Sequence, residues 1–432
     1  MGVVFYTIYS ALLFVALLLY APFYVRRTGR GGRYRPDLLQ RIGISPPEPK
    51  IKRGTRILLH SVSVGETRAV IPVIKELKRQ RPEWEIYLTT TTGTGRNAAE
   101  QMGAPLDRIL YFPIDFGIVC ASFLRRTSPD CICLTETELW PNFMRAASRL
   151  HIPLILINGR ISDRSFTRYR FFRPLIRPLL RKFRTLCMQS PLDARRILAL
   201  GADPVRVKVT GNIKFDLSHL AMDEQATASL RSRLGIKEDR SVLVAGSTHP
   251  GEERPIVDAF TRLCSSYPEL VLILVPRHVE RAEGIAQMLR EGGTPHRRWS
   301  TLPENARIGG GEVLIVDVIG VLARIYSLAT MVIIGGSFIP HGGQNPLEPA
   351  FFGKPVIFGP HMQNFRSISA LLMEAQAARM IREEALFTTL SDLLADPQLR
   401  HVMGQAARKV VDANRGSALR TCKEIMGIIE GP

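Results

Sequence analysis

The chain has 432 residues, 45% of them hydrophobic and 22% charged, with a formal net charge of +19. That length argues against a single hydrophobic core and for two domains, and the apolar and charged fractions are those of an ordinary globular protein. The basic excess calls for an anionic partner, and the six cysteines and nine histidines form no C-x-x-C or H-E-x-x-H pattern that would signal a metal cage.

At the N-terminus, Val3 to Val25 reads VVFYTIYSALLFVALLLYAPFYV, 23 residues without a charge. As a helix, that run is long enough to cross a hydrocarbon layer of ~30 Å. MG precedes it and RRTGRGGRYR follows, the reverse of a cleavable signal peptide. Arginines after the run put residues 26 onward on the cytoplasmic side. The expectation is one transmembrane helix within residues 1–25, then a basic juxtamembrane segment over 26–56 lying on anionic headgroups.

From residue 57 the pattern becomes βα alternation. RILLHSVS, EIYLTTTT, RILYFPI, CICLTE and PLILING read as strands, and ETRAVIPVIKELKRQ as a helix interrupted by Pro72. A second series, SVLVAGS, VLILVPR, VLIVD, MVIIGGS and PVIFG, begins near residue 241. Short apolar strands alternating with helices predict parallel sheets covered on both faces. The fold class is therefore α/β, with two Rossmann-like domains, 57–220 and 221–432, facing across a cleft. Ligands belong at the carboxyl ends of the strands.

The candidate chemistry sits at those strand ends. In HSVSVGETRA, Ser63 and Glu66 fit a capping box, S-x-x-E, and Glu66 fits equally a carboxylate facing the cleft. Glu136 closes CICLTE, where a purely structural charge is poorly placed, and Lys214 closes VKVTGNIK. Ser247 and Thr248 lie in a small-residue turn before a helix, whose N–H groups suit a phosphate. Arg277, after Pro276, puts a guanidinium at the end of VLILVPR. Asn345 can cap a helix begun by Pro346, with Glu348 either complementing its dipole or holding ribose hydroxyls. Gly93 to Ala98 fit a dinucleotide pattern, with Asp115 as its acid, but at the second strand rather than the first. The segment FTRYRFFRPLIRPLLRKFR, residues 166–184, interleaves arginines with Phe and Leu and suits a membrane surface better than nucleic acid.

Together HSVSVGE, TETELWPN, GNIKFD, VPRH and GGQNPLEPAFFGKPVIFGP, in this order after an N-terminal anchor, resemble the Kdo (3-deoxy-D-manno-octulosonic acid) transferases of Gram-negative lipopolysaccharide synthesis. The resemblance runs from the anchor past residue 360 and implies a GT-B glycosyltransferase at the inner membrane. Its donor would be CMP-Kdo and its acceptor a lipid A precursor (lipid IVA), with inversion at the anomeric carbon, and no nucleic acid is involved. Glu66 matches the family's general base, and Glu136 and Lys214 its transition-state positions. Pro276 and Arg277, the segment Ile319, Gly320 and Val321, and Asn345, Pro346, Leu347 and Glu348 match its CMP-binding positions. Val321 stands where a polar residue is expected and leaves only backbone contacts there. The resemblance implies no cofactor and no metal at the protein's phosphate site, and it would return the last helix toward the first domain. A sugar-nucleotide epimerase of the same fold and a non-enzymatic, membrane-anchored lipid-binding scaffold are the alternatives; neither accounts for both the anchor and the glycine-rich loops.

Overall fold

A computed structural model of the chain describes residues 2–28, 35–45, 47–48, 51–101, 103–216, 224–303 and 306–431. In its first half the predicted apolar runs become strands β1 (Arg56–Ser61), β2 (Glu85–Thr90), β3 (Arg108–Tyr111), β4 (Cys131–Thr135), β5 (Leu154–Gly159), β6 (Phe183–Met188) and β7 (Val207–Val209). They form a parallel sheet in the order β3-β2-β1-β4-β5-β6-β7. The second half gives β8 (Val242–Thr248), β9 (Val271–Pro276), β10 (His296–Arg298), β11 (Val313–Ile315), β12 (Met331–Ile334), β13 (Val356–Phe358) and β14 (Ala378–Met380). Their order is β10-β11-β9-β8-β12-β13-β14, again parallel. Each sheet reverses direction of winding once, between β1 and β4 and between β8 and β12. These switch points are where a doubly wound sheet opens a crevice for a ligand.

Strand β1 shows why the sheets hold. Ile57, Leu58 and Leu59 are all fully buried, and alternation sends them to opposite faces. Leu58 joins Phe112, Phe143 and Leu156 on one side; Ile57 and Leu59 meet Val70, Val73, Ile74 and Leu77 on the other. Those four are spaced i, i+3, i+4, i+7 along the helix Val64–Gln80, which continues through Pro72. Each such side chain contributes roughly 1.5–3 kcal/mol on burial.

The chain divides into Met1–Asp216 with Arg415–Pro432, and Leu217–Asn414. The expected boundary after residue 220 lies outside the described residues. The expected second domain, 221–432, stops at Asn414, because the helix Ser417–Ile429 inserts Ala418, Cys422, Ile425 and Met426 into the first domain's core.

The N-terminal run is helical over Val3–Thr28, but among the described residues no helix is long and apolar enough to cross a membrane. Tyr6 is buried with Arg145 over its ring, and Ser10 Oγ accepts a hydrogen bond from Asn142, so one face of this helix rests on the first domain.

The floor of the first sheet carries one fully buried guanidinium. Arg56 pairs with Glu85 at 2.6 Å, donates to Thr127 O at 2.5 Å and lies over the Tyr87 ring. Deleting one partner of such a group strands the other without its counter-charge. Arg56→Ala should destabilise the first domain by about 3 kcal/mol, read as a lower Tm in thermal unfolding.

Candidate active site

At the first switch point, Glu66 occupies the third position of the helix that follows β1. Its backbone N–H donates to Ser63 Oγ at 3.3 Å, while the Ser63 hydroxyl donates back to Oε1 at 3.0 Å. Oε2 accepts the Val62 N–H at 2.8 Å. The capping box is therefore real, with Val62 rather than Ser63 supplying the reciprocal N–H. Burial, reinforced by the charge of Glu136, raises the Glu66 carboxyl above its usual range, against the pull of these donors and of Lys214. A desolvated carboxylate held in this way binds a proton more readily than a solvated one.

Glu136 follows β4 in a left-handed conformation, φ 58°, pinned by its N–H to Ile157 O at 2.9 Å. Its Oε1 lies 3.8 Å from Lys214 Nζ, and both side chains are largely buried. Lys214 sits on the single turn Ile213–Phe215, capped by the Asn212 side chain and tied to Asn158 through Ile213 N–H. The last residue of that loop, Asp216, accepts the N–H groups of Gly416 at 2.6 Å and Ala418 at 2.5 Å. The C-terminal helix thus fixes the turn that aims Lys214. Glu138 completes the group: burial first, then Glu66 and Glu136, push its carboxyl up to about 7.

At the second switch point, the turn after β8 and the glycine loop after β12 are joined by Glu252. This buried carboxylate accepts His249 N–H and Gly336 N–H on Oε2, at 2.9 and 2.6 Å, and Ser337 N–H and Phe338 N–H on Oε1, both at 3.0 Å. Of the backbone N–H groups in that turn, the one of His249 is therefore committed to a side chain of its own domain. Ser247 is half-buried at φ 57°, and Thr248 is wholly buried. Gly335 is required where the loops cross, since a Cβ there would stand 2.2 Å from Ser247 O.

Pro276 ends β9 and Arg277 N–H returns to Thr248 O at 2.9 Å, which leaves the Arg277 side chain exposed. Asn345 caps as expected, accepting Leu347 N–H at 3.1 Å and donating to Glu348 at 3.1 Å, so one turn gathers Asn345, Pro346, Leu347 and Glu348. Ile319, 86% exposed, Gly320 and Val321 precede the helix Leu322–Leu328 and, among the described residues, make no hydrogen bond to these loops. The rival dinucleotide reading loses its acid: Asp115 accepts the N–H groups of Asn142 and Phe143 at a helix start, and burial lifts its carboxyl to about 6. Among the described residues no group of three or more His, Cys, Asp or Glu side chains could hold a metal ion.

The site in each domain is thus a set of strand-end carboxylates or cations. In sequence, the whole chain is similar to a 3-deoxy-D-manno-octulosonic acid transferase of Haemophilus influenzae, 32% identical across 95% of this chain and 96% of the relative. The chain belongs to the Kdo transferase family. Residues 36–217 match the family described as 3-Deoxy-D-manno-octulosonic-acid transferase (kdotransferase). A second relative of that name, from Chlamydophila psittaci, is 30% identical over 91% of this chain and 89% of its own. Among solved structures, a UDP-N-acetylglucosamine 2-epimerase superposes with a TM-score of 0.60 over 88% of this chain and 98% of that one; at 14% identity it shows the two-domain fold alone.

This Kdo transferase is a glycosyltransferase, and its sequence had not marked Glu252, Asp216 or the coupling of Glu138. The one local signal for Glu252 is its place three residues after His249, the spacing of a capping carboxylate. Glu138 provides a stability test. The unfolded carboxyl ionises near 4.5 and the folded one near 7, so native stability falls as pH rises through that window. Glu138→Gln should raise Tm relative to the native chain at pH 8 and leave it nearly unchanged at pH 5.

Proposed function

We propose that the chain transfers Kdo from CMP-Kdo to a lipid A precursor such as lipid IVA, inverting the anomeric centre, in lipopolysaccharide biosynthesis. The observation that carries this reading is Glu66, a half-sequestered carboxylate at the switch point with its carboxyl raised by burial. The acceptor hydroxyl gives its proton to Glu66 as its oxygen attacks the anomeric carbon of Kdo. The bond from that carbon to the phosphate oxygen breaks, and its electron pair leaves with CMP. Glu136 and Lys214, an ion pair beside Glu66, stabilise the charge that develops. Pro276, Arg277, the backbone of Ile319 to Val321 and the turn from Asn345 to Glu348 hold the CMP moiety, with Ser247 at the phosphate end.

The reading also accounts for the charge and the apolar surface. Phe171 and Phe172, 80% and 46% exposed, stand among the arginines of the helices Asp163–Phe171 and Arg173–Leu180, as on a surface that meets phosphorylated lipid. Val4, Ile8, Leu12, Val15 and Leu19 line one exposed face of the N-terminal helix. We infer that this segment anchors the enzyme to the inner membrane, with both domains on the cytoplasmic side and anionic lipids against residues 26–56. The full chain should sediment with membrane vesicles and a variant lacking residues 2–25 should remain largely in the supernatant; equal partitioning of the two would remove the anchor.

Detergent-solubilised protein incubated with CMP-Kdo and tetraacylated lipid A precursor should yield the Kdo-bearing glycolipid. Glu66→Ala should lower the rate by roughly 10²–10⁴-fold, and the native rate should fall with decreasing pH as the raised Glu66 carboxyl takes up its proton. No product from native protein would overturn the reaction; full activity in the variant would overturn only the role of Glu66.

A further inference from the structure

Three imidazoles converge in the second domain from three separate strand ends. His249 follows β8, His278 follows β9, and His341 lies in the glycine loop after β12. The rings of His249 and His341 are 3.8 Å apart between centroids, and His278 meets His249 edge-on at 6.1 Å. Gly336, at φ 65°, makes the stack feasible, because a Cβ there would come within 3.2 Å of the His249 ring and 3.4 Å of His341. The His249 backbone is fixed by Glu252, and its Nε2 stands 3.1 Å from Gln344 Nε2. With Gln344 donating through its amide nitrogen, Nε2 accepts and the tautomer assigned to His249 carries its proton on Nδ1. The Gln344 contact is the one hydrogen bond of that ring among the described residues, and the residue's exposure is 5%.

The electrostatic surroundings have one sign. His341, His278, Arg277 and Arg281 all disfavour a proton on His249, which burial above all holds down to about 4. The nearby acids are already engaged: Glu252 by four backbone N–H groups, Glu253 by Arg281 at 2.5 Å. His278 and His341 are exposed, so the cluster opens to solvent. Such rings, beside a free guanidinium, suit a phosphate ester and not a cation.

We propose that His249, flanked by His278 and His341, binds the phosphate of the donor nucleotide and stabilises it as the leaving group. This rests on the CMP-Kdo reading. When the bond from the anomeric carbon to the phosphate oxygen breaks, that oxygen keeps the electron pair and the phosphate passes from one negative charge to two. The Nδ1–H of His249 donates a hydrogen bond that strengthens with this change, and the proton of the acceptor goes to Glu66, so no proton is required of the imidazole.

The test titrates full-length, detergent-solubilised protein with CMP and, separately, with cytidine, which lacks the phosphate. His249→Ala should weaken CMP about tenfold or more and leave cytidine unchanged. His249→Asn, whose amide can stand in for Nδ1–H, should recover most of the loss, and His341→Ala, at an exposed position, should weaken CMP severalfold without threatening the fold. Equal weakening of CMP and cytidine, or unaltered CMP binding in both alanine variants, would overturn the proposal and leave the donor reading standing. A native protein that binds neither compound would overturn both.

Discussion

Four backbone N–H groups end on one carboxylate, that of Glu252, and the ligand loops of the second domain take their positions from it. Glycine loops are chosen for close approach, and that freedom leaves them with amides that no helix or strand satisfies. A buried side chain with two oxygens and about four lone pairs can satisfy one amide after β8 and three after β12 at once. The crossing of Gly335 over Ser247 then becomes a fixed contact, not one of many arrangements. His249 and Gln344 inherit their geometry from it, the first through its own N–H and the second through the backbone bonds of Gln344 and Gly343 to Gly335 and Gly336.

Glu66 solves the same local problem with a different remainder. It also sits at a strand-to-helix turn beside a glycine and also accepts a backbone N–H, but from Val62 alone, with one hydroxyl in addition. Two donors do not saturate a carboxylate, and burial beside Glu136 raises the cost of its charge. Glu252 is therefore spent on structure, whereas Glu66 retains capacity to accept a proton. Capping and proton acceptance are compatible in one residue when the cap uses fewer lone pairs than the carboxylate has.

What could be read in advance follows the reach of each signal. Ten apolar strands were legible because parallel strands are buried on both faces and appear as continuous aliphatic runs. The edge strands β10 and β14 were not, being three residues each, HRR and ARM, with too little apolar sequence to show a period. Strand β6 was hidden by the arginine-rich segment that runs into it. Pro174 stands in the first turn of the helix Arg173–Leu180 and Pro178 lies within it, and neither signals that Phe183 begins a buried strand. Glu66, Glu136 and Lys214 could be picked out at strand ends, and the structure brings Glu136 and Lys214 into contact. The tie of Glu252 to residues more than eighty positions away has no local signature, nor does the meeting of three histidines from distant loops.

The discontinuous first domain follows from the same limit. The helix Ser417–Ile429 is amphipathic in sequence, and nothing local says which core its apolar face will join. In the structure the answer is carried by polar groups as much as by Cys422 and Ile425. Asp216 caps the start of this helix, Arg420 donates to Thr210 O at 2.8 Å, and Gly211, at φ 91°, admits Ser417 where a Cβ would stand 2.5 Å from its hydroxyl. All three contacts fall on residues 210–216, the loop that bears Lys214. A chain that ended after its second domain would leave that loop with an aspartate deprived of two backbone N–H donors. Closing the polypeptide back onto its first domain is thus what turns a surface lysine into a fixed charge beside Glu66.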